Sequence, residues 1–146
     1  MNDSRSALET IKDMVLGNFY SVVEFNGCNW GFYFETDVWF SAQVIKFPEE
    51  GMITNCLGKC NPIVLNTYDT EIQAQAVMVL KNRGVPVIEV SMIKNNELIL
   101  RFENGHEMLV KTDTDIVDWH WSFSKSRKDA YHEDTIVACY YADEKL

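Results

Sequence analysis

The chain has 146 residues, 47% apolar and 24% charged, with 13 basic against 22 acidic side chains and a formal charge of −9. That length suits one domain, residues 1–146, which can bury roughly two-thirds of its unfolded surface without staples. The composition excludes a disordered chain, a collagen-like repeat and a disulfide mini-scaffold, and the acidic balance argues against direct nucleic-acid binding, because phosphate is repelled at long range.

The first residues, Met1-Asn2-Asp3-Ser4-Arg5, carry no basic segment followed by an apolar stretch, and no run of 18 apolar residues occurs anywhere. The expectation is a cytoplasmic chain with no signal peptide and no membrane partner. A reducing compartment then implies free thiols at Cys28, Cys56, Cys60 and Cys139.

Leu8, Ile11, Met14 and Val15 repeat at helical spacing. Ser6 and Glu9 read as a capping box, and Gly17 as the left-handed stop. Residues 19–47 read as three strands. Phe19, Ser21, Val23 and Phe25 alternate with Tyr20, Val22 and Glu24 up to Asn26-Gly27, then Trp30, Phe32 and Phe34 alternate with Gly31, Tyr33 and Glu35 up to Thr36-Asp37. The third strand is expected over residues 38–47. Ten of the 18 aromatic residues fall between positions 19 and 47, a density that suits a pleated core surface better than a ligand cage.

Glycines and prolines concentrate in residues 48–68, which read as a long loop with a short strand at 63–65. A helix follows over residues 70–83. Thr70 and Gln73 read as its capping box, Ile72, Ala76, Val79 and Leu80 as its apolar face, and Gly84 as its stop. A meander comes next: residues 85–93, a turn at Asn95-Asn96, residues 98–103, a turn at Asn104-Gly105, and residues 106–112. If both turns are two-residue loops, one face gathers Ile93, Leu98, Leu100, Phe102 and Leu109. The other gathers Ile88, Val90, Met92, Ile99, Met108 and Val110, so the sheet is expected to be covered on both sides. Val117, Trp119, Trp121 and Phe123 alternate with Asp118, His120 and Ser122, the pattern of a strand with one polar face. Residues 136–141 form the last strand, and residues 142–146 should fray. The fold class expected is α+β: a curved antiparallel sheet, half-barrel or sandwich-like, with an N-terminal and a central helix.

No motif names a reaction. Cys56-x-x-x-Cys60 is one loosely spaced pair where structural zinc usually takes two, so no metal or other cofactor is expected. Asp118 and His120 share one side of a strand, the minimum of an acid–base site, but no flanked nucleophile accompanies them. No phosphate loop is present, and the basic run Lys125-Ser126-Arg127-Lys128 sits among acidic neighbours. The acidic side says more. Glu103, Glu107, Asp113, Asp115 and Asp118 crowd the stretch between Phe102 and Trp121, with only Lys111 against them. Such a face keeps a protein in solution or steers it to a basic partner.

The apolar strand ending near residue 93, the run Leu98-Ile99-Leu100-Arg101-Phe102-Glu103-Asn104-Gly105, Met108-Leu109-Val110, and the tryptophans Trp39 and Trp121 together resemble the small immunity proteins of bacterial contact-dependent inhibition and related polymorphic toxin systems. The likeness covers residues 85–123 and, loosely, 30–47. It implies a non-enzymatic cytosolic protein that binds and neutralises one cognate toxin domain, often a nuclease with a basic active site. It transfers no contact residue, so the five carboxylates are the partner-binding expectation from charge alone. The alternative is a small enzyme or small-molecule binder with an aromatic pocket near Asp118 and His120.

Overall fold

The computed structural model describes residues 4–60, 67–125, 130–131 and 133–141. The expected strand at 63–65, most of the 125–128 basic run and the 142–146 tail lie outside them. The chain folds as an α+β protein whose described residues form three α-helices and two antiparallel sheets, neither closed into a barrel. One sheet has the order β1-β2-β3-β8-β9: Tyr20–Phe25, Trp30–Phe34, Val38–Ala42, Trp119–Ser124 and Thr135–Tyr140. The other has the order β4-β7-β6-β5: Ile45–Lys46, Glu107–Val110, Glu97–Phe102 and Val87–Ile93. The helices are α1 (Ser4–Val15), α2 (Glu50–Cys60) and α3 (Thr67–Lys81).

The N-terminal helix forms as its periodicity predicts. Ile11 and Val15 are fully buried, Leu8 and Met14 pack beside them, and Gly17 takes φ 76° at the stop. The helix is already running at Ser4, so Ser6 lies inside it and not at its cap. Beyond Gly17, Asn18 leads into β1, and Tyr20 donates its hydroxyl to the Val79 carbonyl (2.5 Å), tying the first sheet to α3. Burial pushes the Tyr20 phenol well above its ordinary pKa.

The first hairpin turns on an Asx geometry: Asn26 Oδ1 accepts from the amides of Cys28 (2.9 Å) and Asn29 (3.0 Å) while Gly27 supplies φ 90°. Phe34 then pairs with Val38 across a three-residue turn. The third strand is shorter than expected. It ends at Ala42, and the chain switches sheets at Gln43-Val44. The Gln43 amide donates to the His120 carbonyl of β8 (2.9 Å), and the next carbonyl, Val44, accepts from Lys111 beyond β7 (2.9 Å). Two adjacent residues thus belong to different sheets, which makes a corner.

Residues 50–60 are helix α2 and not loop. Pro48 pre-sets the first turn, and Glu50 Oε1 accepts the Phe47 amide (2.7 Å), the reciprocal half of a capping box. Two glycines weaken this helix intrinsically, and its packing on α3 compensates. In α3, which starts before Thr70, the buried face is Ala74, Gln75, Met78 and Val79, continued by Asn82. Leu80, expected inside, is 62% exposed.

Both meander turns contain three residues. Ile93 pairs with Glu97 around Lys94–Asn96, with Asn95 and Asn96 at φ 64° and 60°. The Phe102 amide donates to the His106 carbonyl (2.8 Å) around residues 103–105, with Gly105 at φ 90°. The added residue shifts the register and mixes the two expected faces. Val90, Leu98, Leu100, Phe102, Met108 and Val110 point inward together. Ile99, Arg101, Leu109 and Glu107 point outward, and Ile88 and Ile93 are exposed, so among the described residues this sheet is covered on one side only. Strand β8 departs the opposite way. It runs between β3 and β9, and all six of its residues are buried, His120, Ser122 and Ser124 included.

One cluster of buried side chains joins both sheets with α1 and α3: Phe32, Phe34, Phe40 and Phe123 from the first sheet, Leu98, Leu100 and Phe102 from the second. Phe40 stacks on Phe32 and Phe123 at ring separations of 5.6 and 4.6 Å. Among the described residues no helix is long and apolar enough to cross a membrane.

Candidate functional site: two clefts beside Lys46

The five expected carboxylates do not form one patch. Glu103 and Glu107 stand at the β6–β7 turn, whereas Asp113, Asp115 and Asp118 lie in the connection beyond the other end of β7. Nor does Lys111 stand alone against them. Arg101 bridges Glu107 and Glu89 on the outward face, 3.4 Å from each. Lys111 lies 3.3 Å from Glu97 and 3.0 Å from Asp113. The Lys111 ammonium holds the Asp113 carboxyl below its ordinary pKa, and Asp113 in turn raises Lys111, partly opposed by burial. Asp115 and Glu103 are simply exposed.

The acid–base pair separates too. Asp118 is exposed and accepts a hydrogen bond from the Tyr131 hydroxyl, whereas His120 is fully buried in β8, where the strand register shifts. The two do not present themselves to solvent together. The aromatic concavity proposed for that alternative is occupied by its own rings, since Phe32, Phe34, Phe40, Trp121 and Phe123 are all at most 1% exposed.

Two clefts are open among the described residues, and they share Lys46. At the corner where the chain changes sheets lies a cleft of about 250 Å³, lined by Val44, Ile45, Lys46, Glu50, Glu71, Gln75, Lys111, Asp113 and Thr114. Its helical wall is braced: Gln75 accepts from the Trp30 indole (3.3 Å) and hydrogen-bonds Glu50. Glu50 is only 9% exposed. Burial pushes its carboxyl above the ordinary range, against the lowering effect of the Phe47 amide, Gln75 and Lys46. The opposite wall is braced by Glu97, whose Oε2 accepts the Thr112 amide (3.0 Å), while Thr112 Oγ1 donates to the Asn95 carbonyl (2.7 Å). Counting Glu97 behind Lys111, four carboxylates stand against two ammonium groups.

The second cleft, about 240 Å³, lies on the outward face of the smaller sheet and is lined by Lys46, Pro48, Ile99, Glu107 and Leu109. Register explains its composition. Lys46 pairs with Leu109, and Leu109 with Ile99, so the three stand side by side across β4, β7 and β6.

Of the expected site residues, Glu107 and Asp113 line these clefts. Glu50, Glu71 and Lys46 are additions: Glu50 was hidden because residues 48–60 read as loop, whereas Glu71 and Lys46 lie in the expected helix and strand and only the fold brings them to one corner. The signal that would have found Glu50 was Pro48 followed two residues later by a glutamate, a helix start. Cys28 lies in the first hairpin, Cys56 on α2 and Cys139 in β9, in separate surroundings. Among the described residues no group of three histidine, cysteine or acidic side chains is placed to hold a metal. Compared with family models, curated proteins and solved structures, the chain matches none.

Proposed function

We propose that this chain is a cytoplasmic immunity protein that binds one basic toxin domain, a nuclease being the type its charge suits, and blocks it by stoichiometric contact. The observation that carries the reading is where the molecule is closed and where it is open. The aromatic sheet fills its own concavity, while the junction cleft beside Lys46 is braced by internal hydrogen bonds and rimmed by an excess of carboxylates. Pre-organised polar walls reduce the ordering cost of docking a protein surface. A net charge of −9 draws cationic partners at long range, so association should slow as salt rises. The resemblance to immunity proteins points the same way.

The test is direct. The reading frame adjacent to this chain's own is expressed alone and then together with it. The proposal expects growth arrest alone, rescue on co-expression, a one-to-one complex by light scattering, and loss of the toxin's activity at equimolar ratio. A toxic neighbour that is neither bound nor neutralised overturns it.

A further inference from the structure

The junction cleft and the outward groove share Lys46, and their chemistries differ. Ile45 is buried, so strand alternation turns Lys46 outward between them. On one side the surface is apolar, Ile99 and Leu109 beside Pro48. On the other it is acidic. Lys111 is already shared between Glu97 and Asp113, whereas Glu71 has no ion-pair partner among the described residues. Glu71 and Glu50 also act on each other as like charges. A cation entering here relieves that repulsion. The volume, below the roughly 300–1,000 Å³ of drug-sized pockets, suits one long side chain.

We propose that the partner docks astride Lys46, placing an arginine side chain in the junction cleft against Glu71 and Glu50 and an adjacent apolar side chain on Ile99 and Leu109. This deepens the binding function proposed above and rests on it. Arginine is favoured over lysine because its planar fork can bridge two carboxylates. Charge complementarity selects a basic segment, and the adjoining apolar pair requires that the segment carry a hydrophobic neighbour. Neither cleft lies in the aromatic sheet, and only Glu107 and Asp113 of the acidic stretch take part.

The experiment needs no toxin. Amide NMR spectra of the full-length protein are titrated with acetyl-Arg-Leu-amide, acetyl-Arg-amide and acetyl-Glu-Leu-amide. The Arg–Leu probe should shift the amides of residues 44–46 and 111–114 together with Ile99 and Leu109. It should bind about tenfold more tightly than the Glu–Leu probe, a difference of about 1.4 kcal/mol. Glu71→Gln, an exposed substitution, should weaken the Arg–Leu probe about threefold or more. Absence of shifts at those residues, equal binding of the Glu–Leu probe, or indifference to Glu71→Gln overturns the proposal. Acetyl-Arg-amide binding as tightly as Arg–Leu also overturns it, in favour of a small-molecule site. Neutralisation of a toxin without these shifts removes the surface and leaves the function, whereas shifts without neutralisation do the reverse.

Discussion

The two sheets share one core but meet the outside differently. In the five-stranded sheet the interior strand β8 is buried on both faces, and its inward side carries large rings, Trp121 and Phe123, beside Phe40 and Phe32. In the four-stranded sheet the inward side is mainly aliphatic, Val90, Leu98, Leu100 and Val110. The outward side is left half-open, with Ile99 and Leu109 beside the Glu89–Arg101–Glu107 ion pairs. The closed sheet hides polar groups, His120 and Ser122. The open sheet shows apolar ones. Residue polarity therefore does not tell which strand faces solvent; strand position and coverage do.

The widest contrast is between inward and outward substitutions. Phe123→Ala removes a ring stacked 4.6 Å from Phe40 in the closed interior and should cost about 3–5 kcal/mol. Leu100→Ala, at a side chain 1% exposed, should cost about 2–5 kcal/mol. Leu109→Ala, on the outward side of the neighbouring strand, should cost about 1 kcal/mol or less. Urea unfolding of the three variants checks the order. A Leu109 loss as large as that of Leu100 would mean that the outward face is covered after all.

If charge belongs to the open region, much of the pH dependence of stability should come from there, and Glu50 is where to look. Its folded pKa is raised by burial. The contribution of such a group is full below the ordinary glutamate value and is lost as pH rises through the raised one. Glu50→Gln keeps an oxygen for the Phe47 amide and removes the titration. The stability of the wild type relative to this variant should therefore fall as pH rises from the ordinary glutamate range through the raised pKa. Urea midpoints of both proteins at three pH values in that window measure it. A difference that stays level or grows would contradict the burial argument.

Much of this architecture is legible in the chain itself. The helical repeat through Leu8, Ile11 and Val15, the alternation through Trp30, Phe32 and Phe34, and the stops at Gly17 and Gly84 all describe local geometry, and local geometry is what periodicity encodes. What failed was non-local. Trp119-His120-Trp121-Ser122 reads as a strand with a wet face because its hydroxyl and imidazole side chains look polar. Only the neighbours β3 and β9 place that strand in the interior. The meander faces were mixed because a three-residue turn around Asn95 and another ending at Gly105 each move the pairing by a residue. Helix α2 was hidden by its own glycines, and with it the place of Glu50 in the wall of the junction cleft. Of the five carboxylates, Glu107 and Asp113 reach a cleft, because charge density along the chain says nothing about which end of β7 a residue occupies.

Asp113 and Asp115 make the smallest and sharpest comparison. Both are exposed, both sit in the turn after β7, and by sequence they are equivalent. The structure separates them: Asp113 lies 3.0 Å from Lys111, whereas the Asp115 carboxylate meets no ion-pair partner among the described residues. Asp115→Lys should change stability by no more than about 0.5 kcal/mol. Asp113→Lys loses the pair and sets a second ammonium beside Lys111, for a loss of about 0.5–1 kcal/mol at low salt. High salt should erase that difference and low pH should narrow it, because acid removes the lost attraction and leaves the new repulsion. About 1 M salt shortens the screening length to roughly 3 Å and weakens both the lost attraction and the new repulsion. Low pH acts through the depressed Asp113 pKa: its contribution is present above the ordinary aspartate range and is lost as pH falls through the lowered one. Urea midpoints of the two single variants at low and high salt, near pH 7 and near pH 3, provide the four comparisons. A gap that persists in high salt would mean that Asp113 serves the turn through geometry, and the junction cleft would then have to be rebuilt without its Lys111–Asp113 wall.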